Sequence, residues 1–127
     1  MPAFEPVAAV RVVASPEALD GARWSGDGVD ILRTASDEAI GIGATAVDVD
    51  DPDAIVEPEA GFLVALLDEH DVRRLAAHTE WELSTAAGKL FQGKVAGVPA
   101  RILGGRPGLL VTNAAYADEL ERRLGWR

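Results

Sequence analysis

The pattern of apolar positions is clearest in the second half of the chain, where it predicts two helices. Residues 68–79 begin with an acidic cap, and their apolar side chains then recur every three or four positions. Residues 113–124 repeat this pattern behind an asparagine and end just before Gly125, a residue suited to a helix C-terminus. Both segments are therefore predicted to be amphipathic helices with one buried stripe.

Short apolar and β-branched runs flank these helices and predict the strands. In the second half they cover residues 61–67, 97–103 and 108–112. The resulting β-α-β-β-α order indicates an α+β fold, in which two helices pack on one face of a mostly antiparallel sheet. The first half contains three more predicted strands, of which the last carries a bulge at its glycines: residues 7–14, 29–32 and 39–49.

The apolar side chains that face inward in this arrangement define a predicted core. Its members are Leu63, Val64, Leu66, Val72, Leu75, Val98, Ile102, Leu110, Tyr116, Leu120 and Leu124. Two tryptophans outside these elements, Trp24 in a glycine-rich loop and Trp81 after the first predicted helix, are expected to fold back onto the core. A chain of 127 residues with 48% hydrophobic residues suits a single α+β domain over residues 1–127.

The absence of cysteine excludes several kinds of site. Disulfides, thiolate nucleophiles and cysteine-ligated zinc or iron–sulfur clusters all need residues that this sequence lacks. No apolar run is long enough to span a bilayer, and residues 1–5 lack the basic and apolar regions of a secretory signal. We therefore expect a cytoplasmic protein without membrane contact, and the abundance of Ala, Gly, Val, Asp and Arg is typical of a high-GC bacterium.

Charge is distributed unevenly along the chain. Residues 1–60 carry three arginines against 13 acidic residues, whereas residues 61–127 carry nine basic and eight acidic residues. The net charge of −9 disfavours binding to nucleic acid, because phosphates are repelled by an acidic surface. The carboxylates between Asp48 and Glu59 predict an acidic face that a partner of opposite charge can contact.

Two stretches share only their spacing with known ligand-binding motifs. Residues 48–59 have the acidic spacing of a calcium loop, but Pro52 and Asp53 stand where an oxygen ligand and a glycine are required. Residues 41–46 read GxGxxA, yet the residues that follow do not predict the helix that would hold a pyrophosphate. A glycine-tolerant strand is the better interpretation, and we expect neither a metal nor a cofactor.

Side chains suited to acid–base chemistry are few. The two histidines, His70 and His78, lie two turns apart in or beside the first predicted helix and are interpreted as surface residues. An alternative hypothesis is a small stand-alone enzyme, in which Asp37 or Glu57 becomes basic through burial and pairs with one of these histidines. A free-standing ligand-binding module is a further alternative.

A small basic cluster lies between the two predicted helices. Its members Lys94, Arg101 and Arg106 surround the strand over residues 94–103 and its hairpin turn. Such a cluster can receive an acidic protein partner or an anionic ligand. The competing explanation is that these cations only deter unwanted pairing at the edge of a sheet.

Three phrases of the sequence resemble the gamma subunit of heterotetrameric sarcosine oxidase. They are LRTASDEAIGIG at residues 32–43, KVAGVPARIL at residues 94–103 and GLLVTNAAYADEL at residues 108–120, and the last two also resemble the related glycine-cleavage aminomethyltransferase domain. The resemblance extends over residues 29–127 and implies a compact α+β domain that is a non-catalytic component of a larger flavoenzyme. In that family the flavin and folate chemistry belongs to other subunits or domains, and no carboxylate here matches the aminomethyltransferase catalytic aspartate.

These observations favour a non-catalytic function. The sequence predicts an accessory or structural subunit that acts by docking, either to a protein partner or to a second copy of itself. Its acidic and basic faces would set the encounter rate and the register of that contact.

Overall fold

Strands dominate the structure, as the many β-branched and apolar runs of the sequence indicate. The structure is a computed structural model that describes residues 2–80, 82–83 and 86–126. Within these residues the elements follow in the order β1 (Glu5–Val13), α1 (Pro16–Asp20), β2 (Arg23–Ser25), β3 (Asp30–Ala35), β4 (Glu38–Ile42), β5 (Ala46–Asp48), β6 (Ile55–Leu67), α2 (Glu69–Ala76), β7 (Leu90–Val95), β8 (Val98–Leu103), β9 (Gly108–Asn113) and α3 (Ala114–Leu124).

The chain divides into two compact units, each with its own apolar cluster. Unit A contains Val7–Gly61, and unit B contains Met1–Pro6 together with Phe62–Arg127. Strand β6 supplies its first residues to unit A and its last residues to unit B. The single domain over residues 1–127 stays a prediction.

Unit A is built around antiparallel strands in the order β3-β4-β1, with the first part of β6 next to β1. Strands β2 and β5 form a separate antiparallel pair, in which Trp24 lies opposite Val47. The apolar cluster of this unit gathers Val10, Val12, Ala14, Ala18, Leu19, Ala39 and Ala44. Trp24 packs against this cluster, which confirms its predicted return to the core.

The predicted third strand of unit A is in fact two strands. Residues 39–49 divide at Gly43, whose φ of 85° lies in the left-handed region that glycine adopts without strain. Strand β4 ends before this turn, and β5 pairs with β2 instead of continuing the larger sheet. The predicted bulge lies elsewhere, since the register shift falls between Leu32 and Ala35 of β3. The glycines therefore predict that the strand is interrupted, but not that it divides into two strands.

Unit B contains the last part of β6 and an antiparallel array in the order β6-β9-β8-β7. Its core cluster consists of Ala65, Leu67, Val72, Leu75, Val95, Val98, Ala100, Ile102, Leu110 and Leu120. Residues of α2 and α3 therefore share one apolar cluster with residues of the strands. Phe4 and Trp126 also pack against it, with their ring centroids 5.7 Å apart.

Both predicted helices of the second half are present, and α3 ends where predicted. Asp68 caps α2 through a reciprocal pair of hydrogen bonds with Asp71, and Gly125 ends α3 in the left-handed conformation. Helix α2 is shorter than predicted, because it ends at Ala76 rather than at residue 79. None of the three described helices has the length and apolar composition that a bilayer crossing requires.

The predicted fold class is confirmed as an α+β structure with a mostly antiparallel sheet, but its element order needs correction. The second half runs β-α-β-β-β-α rather than β-α-β-β-α, because β7 precedes the predicted pair of strands. Gly93 and exposed polar residues interrupt the apolar alternation of β7, so its sequence reads as loop. A third helix, the short α1, adds to the two predicted ones. The packing of both long helices on one face stays a prediction.

Of the eleven predicted core residues, six are buried, three are half-buried and two are exposed. Val72, Leu75, Val98, Ile102, Leu110 and Leu120 are buried, whereas Leu63, Val64 and Leu124 are half-buried. Leu66 is 61% exposed because it points to the side of β6 opposite its buried neighbours, and Tyr116 is 40% exposed at the rim of the buried stripe of α3. The prediction for Trp81 lies outside the described residues.

Candidate functional site

Two of the three predicted cationic residues lie on neighbouring strands of unit B. Lys94 belongs to β7 and Arg101 to β8, and these strands pair with Gln92 opposite Arg101 and Lys94 opposite Pro99. Side chains alternate between the two faces of a sheet, so Gln92, Lys94 and Arg101 emerge on the same face. The register therefore brings one cation from each strand to a single surface.

A gap between β8 and β9 lies beside these cations. The register joins Arg101 to Val111 and goes no further, whereas β9 stays paired with β6 up to Asn113. Thr112 Oγ1 donates to the carbonyl oxygen of Pro99 at 3.0 Å, so this carbonyl faces β9. In an antiparallel strand the N–H and carbonyl of a residue point the same way, so the N–H that proline lacks would also have faced β9. Pro99 thus ends the ladder.

The gap contains a cavity of about 430 Å³, which we call the basic notch. It is lined by Gln92, Gly93, Lys94, Pro99, Ala100, Arg101, Val111, Thr112 and Asn113. Buried residues of β8 and β9 form its base, and polar side chains form its rim. Ligand sites in proteins have volumes of about 300–1,000 Å³, so the notch has room for a small anion or for one or two side chains of a partner.

The two cations of the basic notch differ in how they are held. Arg101 is half-buried, and its Nε donates to Oε1 of Gln92 at 2.9 Å. This bond fixes the plane of the guanidinium and leaves its two terminal nitrogens for a carboxylate or phosphate, which they can bind through two parallel hydrogen bonds. Lys94 is exposed and adds a flexible point charge. Among the described residues, neither cation forms an ion pair.

The structure does not bring Arg106 into the basic notch. Its Nη2 lies 2.6 Å from Oε1 of Glu69, at the start of α2. This exposed ion pair joins the turn before β9 to the first turn of α2, where an acidic residue also suits the helix dipole. Lys94 and Arg101 therefore lie together, whereas Arg106 lies apart from them beside Glu69, and a binding role for the three cations stays a prediction.

Sequence reasoning missed two polar residues of the basic notch. Gln92 lies outside the strands predicted from the sequence, although its spacing of two from Lys94 places both on one side of a strand. Asn113 was identified as the cap of α3 and does occupy that position, but its side chain makes no capping hydrogen bond. Asn113 instead lines the notch.

Lys94 also borders a second cavity of about 300 Å³ in unit B. The other residues lining this cavity are His78, Glu80 and Gly97. The backbone carbonyl of His78 accepts the N–H of Ala96 at 2.8 Å, which ties the end of α2 to the β7–β8 turn. Lys94 therefore stands on the ridge between two depressions and is accessible from both sides.

The predicted acidic face of unit A is partly neutralised by nearby arginines. Asp48 forms an ion pair with Arg23, and Glu57 lies 3.6 Å from Arg11. Asp51 turns inward and accepts the backbone N–H of Ser15 and that of Asp53, both at 2.9 Å. These two hydrogen bonds, the bond from Ser15 first, hold the pKa of Asp51 below its usual value.

Two carboxylates of this face have no such neutralising neighbour. Asp50 and Asp53 are exposed, and no ion pair involving either occurs in the described part of the chain. Within the same residues no group of three or more His, Asp or Glu side chains is arranged to hold a metal ion. Residues 48–59 form the end of β5, a short turn and the start of β6.

The GxGxxA stretch forms the end of strand β4 and then a turn, whereas the sequence predicts a continuous strand. Gly41 lies in β4 with the ring of Trp24 directly against it, so a Cβ at this position would overlap the indole. Gly43 turns the chain toward β5 with a positive φ. No helix follows these glycines, so no helix N-terminus meets them to bind a phosphate.

The enzyme hypothesis required a buried carboxylate. Asp37 and Glu57 are both exposed, and Glu57 is next to Arg11. His70 and His78 are exposed as well. Burial therefore does not distinguish these side chains from ordinary surface residues.

Comparisons with known proteins add no family assignment. A scan against protein-family models finds no match, and a search of curated proteins finds no significant match.

Proposed function

We propose that this chain is a non-catalytic accessory protein that docks an acidic segment of a protein partner in the basic notch. The observation that carries this proposal is the presence of Lys94 and Arg101 in one cavity, with no carboxylate of the described residues paired to either. A cation without a carboxylate partner in its own chain is available to bind a carboxylate of another molecule. Acidic residues on that partner would supply the missing charge.

The open shape of the basic notch suits docking better than catalysis. Lys94, Gln92 and Asn113 stand exposed around it, so water reaches the site freely. Acid–base chemistry benefits from a dry pocket that shifts the protonation of its residues, whereas a polar rim suits recognition. The Pro99 gap shapes the notch without supplying a reactive group.

The resemblance to the gamma subunit of sarcosine oxidase supports one choice of partner. It favours an assembly with the subunits of a flavin-dependent amine oxidase, in which this chain contributes no flavin or folate chemistry. A cytoplasmic bacterial location belongs to the same proposal. A partner that carries flavin when it is recovered with this chain would support the resemblance.

A ligand-binding module is the second candidate, and the cavity volume of about 430 Å³ favours it. In that case the terminal nitrogens of Arg101 would bind the carboxylate or phosphate of a small anion. Titration with inorganic phosphate and with a short dicarboxylate, followed by amide chemical shifts of residues 92–101, distinguishes this function from docking. Saturable shifts with either anion, without any protein partner, would favour the module.

Charge reversal in the basic notch tests the docking proposal. Lys94→Glu with Arg101→Glu should abolish recovery of the partner from an extract of the native cells, because acidic residues then face acidic residues. The matched control is Arg73→Glu with Lys89→Glu, which makes the same change in net charge at exposed positions outside the notch. Recovery that persists in the notch variant, or that is lost equally in the control, would contradict the proposal.

A further inference from the structure

The basic notch has no internal counter-charge, while unit A presents two unpaired carboxylates on one short turn. We propose that the notch receives residues 50–53 of a second copy of this chain, a segment that we call the acidic tip. The inference rests on the docking function proposed above and names the partner. It concerns a contact between Asp50 and Asp53 of one copy and Lys94 and Arg101 of the other.

The acidic tip is held rigid by its own hydrogen bonds. The N–H of Asp51 donates to the carbonyl of Val49 at 3.0 Å, and the N–H of Ala54 donates to the carbonyl of Asp51 at 3.1 Å. The carboxylate of Asp51 accepts the N–H groups of Ser15 and Asp53. A turn that is already ordered loses little conformational entropy on binding, so more of the contact energy appears as affinity.

Asp51 is occupied within the turn, and this leaves the flanking carboxylates for another molecule. Asp50 and Asp53 are exposed, and Pro52 between them limits the conformations of the turn. Other carboxylates of the same face are held by arginines, as Asp48 is by Arg23. The acidic tip is thus a stretch where neighbouring carboxylates lack a cation of their own.

The charges of the two surfaces are equal in number and opposite in sign. Arg101 offers two terminal nitrogens in a plane fixed by Gln92, which suits one carboxylate in a two-bond arrangement. Lys94 offers an ammonium that can follow the second carboxylate. Asp50 and Asp53 supply one carboxylate for each cation. If each of two copies inserts its tip into the other, the two contacts are equivalent and close a symmetric dimer.

The net charge of −9 per chain opposes association, so the contact must act locally. At physiological ionic strength the Debye length is about 8 Å, which screens the overall repulsion more than it screens partners in contact. At about 0.01 M salt the Debye length grows to about 30 Å, and the repulsion between two acidic chains then extends across the contact. Association should therefore be strongest at intermediate salt and weaker at either extreme.

A charge-swap experiment tests the inference on the full chain. Sedimentation velocity should show self-association of the wild type at physiological ionic strength. Lys94→Glu with Arg101→Glu, and separately Asp50→Lys with Asp53→Lys, should each weaken self-association about tenfold or more per reversed pair. An equimolar mixture of the two variants should restore it, because a lysine tip then meets a glutamate notch and a wild-type tip meets a wild-type notch.

Two controls separate charge from folding. Arg73→Glu with Lys89→Glu should leave self-association within about twofold of the wild type, because two-cation reversal outside the notch changes only the net charge. Lys94→Gln with Arg101→Gln removes the cations without adding carboxylates and should weaken association less than reversal does. Thermal melts should show each variant folded.

The outcomes also distinguish this inference from the proposed function. A wild type that stays monomeric up to about 1 mM, or a mixture of swapped variants that fails to associate, overturns the inference. If the wild type is monomeric but notch reversal still abolishes recovery of another protein, the docking function stands and only the second-copy contact fails. If the wild type is monomeric and no protein is recovered, both fail.

Discussion

At the scale of single residues, the β7–β8 turn holds a backbone conformation that alanine tolerates poorly. Ala96 has a φ of 50° and Gly97 a φ of 80°, which together make the kind of turn that favours Asn-Gly. Arg123 Nη1 donates to the carbonyl of Ala96 at 2.8 Å and holds this turn against α3. Ala96→Asn should raise the free energy of unfolding by about 0.5–1 kcal/mol in urea melts, because asparagine tolerates the left-handed conformation better. Ala60→Asn, in strand β6, should give no gain.

A matched pair of glycine substitutions separates close contact from open space. Gly41→Ala should lower the free energy of unfolding by about 1–3 kcal/mol, because the new Cβ would overlap the ring of Trp24. Gly61→Ala meets no atom within 4 Å and should be neutral or stabilising by up to about 1 kcal/mol. Denaturant melts that gave both variants the same loss would show that Trp24 does not rest on Gly41.

At the scale of residues, the sequence does not show which side chain is buried where two neighbouring apolar residues could each face inward. The alternation of β6 required a choice between Leu66 and Leu67, and a continuous apolar run does not show which of them faces inward. Tyr116 sits at the rim of the buried stripe of α3, where an amphipathic ring is stable partly in water. The position of Arg106 could not be predicted from local sequence, because its ion-pair partner Glu69 is distant along the chain.

At the scale of elements, the cap of α2 links its stability to pH. The N–H of Asp71 donates to Asp68 at 2.8 Å, and this bond is the largest cause of a pKa of Asp68 below its usual value. A lowered pKa in the folded state means that the cap stabilises the protein above the unfolded value of about 3.9 and loses this effect as the pH falls. Asp68→Asn keeps an acceptor but cannot titrate, so its urea midpoint should fall less between pH 5 and pH 3 than that of the wild type. Equal acid sensitivity in both would contradict this role.

The gap between β8 and β9 gives a second prediction at this scale. Pro99→Val supplies an N–H toward β9, where the register would place Asn113, so the ladder should lengthen and the basic notch should narrow. Hydrogen exchange should then show protection at the amide of residue 99, and the self-association proposed above should weaken although both cations remain. Rapid exchange at that amide, with unchanged association, would show that proline does not keep the strands apart.

At the scale of elements, the sequence predicts the features that local signals determine, but not the strand that is stabilised by pairing with its neighbour. The caps of α2 and α3 are local, and both were predicted correctly from Asp68 and Gly125. Strand β7 was missed because Gly93 and its polar neighbours have weak strand preference, and its pairing with β8 stabilises it instead. The basic notch was therefore only half predictable, since Lys94 and Arg101 were identified as charges while Gln92 depended on a strand that the pattern did not show.

At the scale of the whole molecule, the division into two units makes the single-domain prediction testable. Each unit has its own apolar cluster, and β6 (Ile55–Leu67) supplies residues to both. Because β6 is continuous, unfolding of one unit should also disrupt the part of β6 that belongs to the other unit. We therefore expect one cooperative unfolding transition. Leu75→Ala lies in the cluster of unit B, and Leu19→Ala lies in that of unit A. Each should lower the free energy of unfolding by about 2–4 kcal/mol through the cavity that it creates.

Calorimetry distinguishes the two possibilities for this prediction. If the chain unfolds as one domain, both variants shift the same transition, and the calorimetric enthalpy equals the van't Hoff enthalpy in each. If the units unfold separately, Leu75→Ala should move one transition and Leu19→Ala the other, leaving a second transition in place. A loss below about 1 kcal/mol for Leu75→Ala in urea would instead show that α2 contributes little packing, since a leucine that is only 1% exposed should leave a substantial cavity.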